Sequence, residues 1–191
     1  EAFRLTQRDR FKADGLSLTM TALAAKTVAY LLREMPQFNA SLSRDGESLV
    51  LKQYVNLGIA VDTPNGLMVP VLHNADRMSL REIAEQLGIL AEQARTGKLP
   101  PAAMQGASFT ISSLGGIGGT AFTPLVNWPE VAILGLSRAS KAPVWNGSAF
   151  EPRLQLPLSL SYDHRVIDGA AAARFTTRLA ALLADIRQLL V

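Results

Sequence analysis

"RLQLPLSLSYDHRVIDGAAAARF", residues 153–175, changes its period in mid-course. Up to Tyr162 apolar and polar residues alternate, as in a half-buried strand. From Ala170 the apolar residues recur at helical steps through "AAAARFTTRLAALLADIRQLL" (170–190). Between the two lies a short loop holding His164, flanked by Asp163 and Asp168. The spacing predicts one strand over 153–163, then a long helix, with the loop at the mouth of a sheet, where functional side chains project.

Working outward, helices and strands intermix. "SLTMTALAAKTVAYLLREM" (17–35) reads as a buried amphipathic helix, with Ser17 or Thr19 as cap and Pro36 just past its end. "SLREIAEQLGILAEQARTGKL" (79–99) is a second, with Ser79 and Glu82 at capping-box spacing. The opening "EAFRLTQRDRF" is helical in period but has no cap before it, and so reads as cut into an existing helix. A hairpin is expected over 39–53, turning at Asp45-Gly46. Strands are expected over 54–63 and 66–72, joined by Pro64-Asn65-Gly66, then over 107–113 and 130–137, with an Asn146-Gly147 turn before the last strand. Strict alternation of strand and helix fails at the hairpins. The expected class is therefore α+β: two layers, a mostly antiparallel or mixed sheet with helices packed on one face.

Composition narrows the chemistry. A chain of 191 residues, 48% hydrophobic, can bury one sizeable core, and no repeat or linker divides it. The net charge of +3 is small and the basic residues are scattered, so no nucleic-acid partner is expected. With no cysteine, disulfides, thiolate metal sites and a cysteine acyl-enzyme are excluded. The two histidines, His73 and His164, are far apart, so no metal site is expected either. No signal peptide and no apolar run of membrane-spanning length is seen, and a cytoplasmic location without membrane contact is the expectation.

Three stretches invite a functional reading. Gly116-x-Gly118-x-x-Ala121 matches a dinucleotide fingerprint in form only. The fingerprint needs a helix opening at its third position, whereas Thr123-Pro124 and Trp128-Pro129 follow here. The stretch reads as a turning loop or as a close approach to a ligand. "GLSRA" around Ser137 lacks the second glycine of a nucleophile elbow, and His73 sits in a polar loop as a surface residue. His164 remains open between a solvated residue and a general base, and Asp168 reads equally as the cap of the last helix.

"GIAVDTPNGLMVPVL", "GASFTISSLGGIGGTAFTPLVNWPEVAILGLSRA" and "SLSYDHRVIDGAAAARF", in this order, resemble the catalytic domain of the dihydrolipoamide acyltransferases of 2-oxo acid dehydrogenase complexes. The His-Arg-x-x-x-Asp-Gly signature is also similar to that of chloramphenicol acetyltransferase, which shares the fold. The resemblance runs over 1–191 and is nearest the acetyl-transferring pyruvate branch, because Ser112-Ser113-Leu114-Gly115 stands where the succinyl branch has Thr-Asn-Gly-Gly. Branched-chain acyl or succinyl transfer is the alternative.

The resemblance implies acetyl exchange between coenzyme A and the dihydrolipoyl group of a separate lipoyl domain. His164 would be the base and the Ser112 hydroxyl the oxyanion donor. Asp168 would pair with Arg4 to hold the loop. It further implies a homotrimer with Ser112 and His164 from neighbouring chains, and in the pyruvate branch a cubic core of twenty-four chains. The dehydrogenase and dihydrolipoamide dehydrogenase components would bind through segments absent here. Relatives also have an amino-terminal strand and arm, a lipoyl domain and a subunit-binding domain, all missing from this stretch.

Overall fold

Along the chain run helix α1 (Ala2–Ala13), helix α2 (Met20–Glu34), a hairpin of β1 (Ala40–Leu42) and β2 (Leu49–Leu51), and strand β3 (Leu57–Ile59). A hairpin of β4 (Val61–Thr63) and β5 (Gly66–Met68), strand β6 (Val71–Leu72) and helix α3 (Leu80–Arg95) follow. Next come β7 (Phe109–Ser113), β8 (Ala132–Leu136), a hairpin of β9 (Ser140–Trp145) and β10 (Phe150–Gln155), β11 (Leu158–Tyr162) and helix α4 (Gly169–Ala184). The computed structural model describes residues 1–190.

Local chemistry sets the helix ends. Thr19, not Ser17, caps α2, its hydroxyl accepting from the Ala22 N–H. Ser79 and Glu82 close both halves of the expected capping box on α3. α1 stops where Gly15 takes a φ of +73° and the Leu16 N–H returns to the Phe11 carbonyl. The helix expected over 170–190 ends at Ala184, and a 3-10 turn follows over Ile186–Leu190.

Five strands form the main sheet in the order β11-β8-β7-β3-β6. The two outer pairings are antiparallel and the two inner ones parallel, so the sheet is mixed, as expected. α2 packs against α3 and α4, and α4 lies on β11. The core between helices and sheet centres on Phe175 of α4, whose ring lies tilted against Phe38 at 4.3 Å and stacks on Phe109 of β7 at 5.9 Å between centroids. α2 is buried on most of its surface, and its alanines 22, 24, 25 and 29 let neighbouring helices approach closely.

Three of the expected strands are subdivided, two of them at prolines. The run 153–163 is two strands broken at Leu156-Pro157: β10 pairs with β9, and β11 crosses to β8. Pro157 has no N–H for a ladder, and its carbonyl takes the Ser137 N–H instead. Pro70 separates β5 from β6 in the same way, its carbonyl accepting from Ile59. The run 54–63 divides at Ala60, whose N–H turns to Ile111. β9 has no counterpart among the expected strands, although the Asn146-Gly147 turn needed a partner strand before it. The glycine-rich loop after β7 opens no helix, so the dinucleotide match is accidental.

Gly58 of β3 pairs with Thr110 of β7. A Cβ there would lie 2.6 Å from Thr110 Oγ1 and 3.1 Å from Val69 Cγ1, and Thr110 is too buried to swing away. Gly58→Ala is expected to cost about 1–3 kcal/mol in denaturant unfolding through overpacking. Adding Thr110→Ala should make the double change cheaper than the sum of the singles. Strictly additive costs would show that this contact is not the source.

Candidate active site

The site follows from the register of three strands. Ser112 of β7 is level with Gly135 of β8, and Gly135 with Ser159 of β11. Phe109 faces the helices, since it stacks on Phe175, so alternation turns Ile111 and Ser113 the same way and Thr110 and Ser112 to the opposite face. Ser113 accordingly lines two cavities on the helix side, of about 490 and 860 Å³, with Ser17, Thr19 and Thr21. Ser112 looks out from the open face, half-buried, its hydroxyl without a hydrogen bond among the described residues.

Phe122, from the glycine-rich loop, covers the row beside Ser112. A Cβ on Gly135 would fall 2.8 Å from the Phe122 ring and 3.3 Å from the Ser159 Cβ. The ring thus lies on bare backbone between two serines. A glycine inside the apolar run "AILGL" signalled a close approach, but nothing in the sequence named Phe122 as the partner.

His164 stands at the other end of the sheet. From Ser159, level with Ser112, β11 runs three more residues, about 10 Å, to Tyr162, and His164 lies two residues beyond. The imidazole is exposed, forms no hydrogen bond among the described residues, and has the Tyr162 ring 5.7 Å away between centroids. It lines neither cavity. One chain therefore keeps Ser112 and His164 apart.

The loop around His164 is firmly held. The Asp163 N–H donates to the Val131 carbonyl at 2.8 Å, and the Asp163 carbonyl accepts from Val166 and Ile167. The Arg165 guanidinium, bonded to the Asp163 carboxylate, holds that carboxyl below its usual range. Asp168 caps α4, accepting from the Ala171 N–H at 2.7 Å.

The expected Arg4–Asp168 pair does not form within the chain. Arg4 binds Glu1, the residue just before α1, through two hydrogen bonds of 2.8 Å, and donates to the Leu18 carbonyl. The reason is topological. Arg4 borders a cavity with Ser113 and Ser137 at the Ser112 end of the sheet, whereas Asp168 lies at the His164 end.

His73 is exposed, as expected. Ser137 is buried at the end of β8, and no helix follows it, which rules out a nucleophile elbow. Among the described residues no cluster of His, Cys, Asp and Glu could hold a metal, and no helix is long and apolar enough to cross a membrane.

One buried acid went unnoticed in the sequence. Glu130, 4% exposed, accepts from Asn127 at 3.2 Å. Its other oxygen and the Thr110 hydroxyl lie close without a well-formed bond. Burial pushes its carboxyl above the usual range, only partly opposed by Thr110, Asn127 and the charge of Lys52.

Comparison with known proteins places these features. Residues 2–191 match the family model for the 2-oxoacid dehydrogenases acyltransferase (catalytic domain). The chain is 62% identical, over its whole length, to the dihydrolipoyllysine-residue acetyltransferase component of the pyruvate dehydrogenase complex of Azotobacter vinelandii, of which it spans 30%. Two solved structures superpose with a TM-score of 0.98, each covering 100% of this chain and 78% of the other. One, 61% identical, is the Azotobacter vinelandii dihydrolipoamide acetyltransferase, investigated for the role of a serine, a histidine and an asparagine in its catalytic mechanism. The other, 62% identical, is the cubic core of the pyruvate dehydrogenase multienzyme complex. Chloramphenicol acetyltransferase, 19% identical with a TM-score of 0.58 over 92% of this chain and 82% of its own, shares the fold.

The buried acid yields a test. A carboxyl whose folded pKa is raised destabilises the fold increasingly as pH climbs from its unfolded value, about 4.3, through the folded one. Glu130→Gln keeps the acceptor for Asn127 and removes the charge. Its melting temperature should exceed wild type at pH 7 by about 2–4 °C, the shift for roughly 1 kcal/mol at this size, and the gain should vanish near pH 4. An equal gain at both pH values would show that the charge is not responsible.

Proposed function

The chain belongs to the 2-oxoacid dehydrogenase acyltransferases, as their catalytic domain, and from that premise we propose that it exchanges an acetyl group between coenzyme A and the dihydrolipoyl group of a lipoyl domain. One observation carries the reading. Ser112, His164 and Asp168 stand fifty-two and four positions apart, the same spacings as the serine, histidine and asparagine investigated in the Azotobacter vinelandii enzyme. The two side chains given chemical roles, Ser112 and His164, form no side-chain hydrogen bond among the described residues.

The proposed reaction needs a base and an oxyanion donor. An alkyl thiol is mostly protonated near neutrality, so neutral His164 takes the S–H proton as sulfur attacks the thioester carbonyl. Negative charge then develops on the carbonyl oxygen, and the Ser112 hydroxyl donates to it. The tetrahedral intermediate collapses by breaking the other C–S bond, and that thiolate recovers the proton from the imidazolium. No acyl-enzyme is required.

Because one chain holds the two groups at opposite ends of its sheet, the site is proposed to form between neighbouring copies in a trimer, with trimers building a cubic core. A neighbour that brings its Ser112 end to His164 also brings Arg4 towards Asp168, so the ion pair missing within the chain is proposed to form across the interface. Asp168 would then hold the loop rather than carry a proton. A cytoplasmic location belongs to the same reading.

His164→Ala is expected to lower kcat by about 100- to 10,000-fold, and Ser112→Ala by about 100- to 1,000-fold with little change in KM. Chains carrying one change each, dissociated and reassembled together in equal amounts, should regain about a quarter of wild-type activity, because a cyclic interface joins intact serine to intact histidine in about one case of four. Mixed trimers, verified by mass, that stay as inactive as their parents would place the site within one chain.

Phe122 beside Ser112 is proposed to limit the acyl group. Phe122→Ala should raise turnover of isobutyryl-coenzyme A relative to acetyl-coenzyme A by about tenfold or more, the scale of selectivity set by a few methylenes. An unchanged ratio across acetyl, succinyl and isobutyryl substrates would remove Phe122 from the acyl pocket.

A further inference from the structure

The residues on either side of His164 are joined to each other. Arg165 donates to the Asp163 carboxylate from its backbone N–H at 3.0 Å, from Nε at 2.9 and 3.2 Å to the two oxygens, and from Nη2 at 2.6 Å. The bridge encloses the His164 backbone. Asp163 is itself tied to the sheet through Val131, and its carbonyl holds Ile167, which is 1% exposed and belongs to the core. His164 thus hangs between two anchored points. Its ring, lacking a hydrogen bond, keeps only its own side-chain rotations, with the Tyr162 ring beside it.

We propose that Asp163 and Arg165 act as a clamp that positions the His164 imidazole for proton transfer, which makes them positioning residues for the reaction. The inference rests on the reading of His164 as the base. Two features favour positioning over other roles. The Arg165 side chain is 71% exposed, and an ion pair that open to water contributes little to stability. Its parallel fork is also spent on a neighbouring carboxylate, the partner it would otherwise release to bind an anionic substrate group. What the pair does alter is the conformational freedom of the residue between its members. A base displaced by an ångström loses catalytic power without any loss of substrate contacts.

The test uses the fact that the chain has two histidines. With histidine labelled at Cε1, the protein should show two ring signals, assigned through His73→Gln. In Arg165→Gln and Asp163→Asn the His164 signal should shift or broaden while that of His73 stays in place. kcat should fall about 10- to 100-fold, with KM for acetyl-coenzyme A and dihydrolipoamide within about twofold and the melting temperature nearly unchanged. Arg165→Lys, which keeps the charge but not the fork, should lie in between. A raised KM for acetyl-coenzyme A at wild-type kcat would assign Arg165 to substrate binding and overturn the clamp, as would an undisturbed His164 signal in both variants. Full activity of His164→Ala would instead remove the base itself, and the labelled signal would still decide whether the clamp exists.

Discussion

The antiparallel pairing of β11 with β8, beside the parallel pairing of β7 with β8, determines where chemistry can occur. Because β7 and β11 run in opposite directions, their ends leave the sheet at opposite edges. Ser112 and Ser113 close one edge, and Tyr162 delivers His164 to the other. The register is strongly held. A slip of one residue would turn Leu158, Leu160 and Tyr162 away from the helix side, where they pack on the core, and would bring Ser159 and Ser161 inward. The burial of ordinary apolar side chains therefore separates the two polar groups. With the roles proposed for Ser112 and His164, catalytic competence belongs to an assembly of chains rather than to one.

The His164 loop inherits its rigidity from the helix that follows it. α4 is seated by Phe175 between Phe38 and Phe109, all three fully buried, and a side chain of that size contributes about 1.5–3 kcal/mol when removed from water. Asp168 caps that helix, and Ile167 just before it is buried. Upstream, the Asp163 N–H is bonded into the sheet. Only residues 164–166 lie between these anchors. A loop so short and so tied at both ends places the imidazole with little conformational entropy left to lose.

What could be read from the sequence follows from what is local. The change of period near Tyr162, the caps at Thr19, Ser79 and Asp168, and the turns at Asp45-Gly46 and Asn146-Gly147 each depend on neighbouring residues, and each is present. The break at Pro157 was not readable as a break, because Leu154, Leu156, Leu158 and Leu160 keep the alternation across it. Period cannot tell that one half pairs with β9 and the other with β8. In the site, the roles proposed for Ser112 and His164 rest on motif resemblance, and their separation follows from the sheet order. The Arg4–Asp168 pair fails within the chain for the same reason: spacing along a sequence carries no information about which end of a sheet a residue reaches. Phe122 on Gly135 and the burial of Glu130 are through-space contacts without a local signature.

Unpartnered polar groups occur in two settings: inside the frame, as at Ser41, Asp76, Thr110 and Glu130, and open to the outside, as at Ser112 and His164. Ser112 offers a hydroxyl without a partner on a half-buried strand, and His164 offers an imidazole without a partner on a loop whose backbone is fully bonded. Other polar groups of the frame are paired: Thr27 bonds its own helix, Asn56 ties three segments together, and Asp168 is spent on a cap. Such local inconsistency inside a consistent frame is expected where function overrides stability. A base needs one ring nitrogen free to accept a proton, whatever the other nitrogen does. An imidazole nitrogen already bonded within the chain would have to surrender that bond before accepting a proton from a thiol. A rigid backbone beneath a ring with a free accepting nitrogen suits proton transfer, and the fold supplies the first without using up the second.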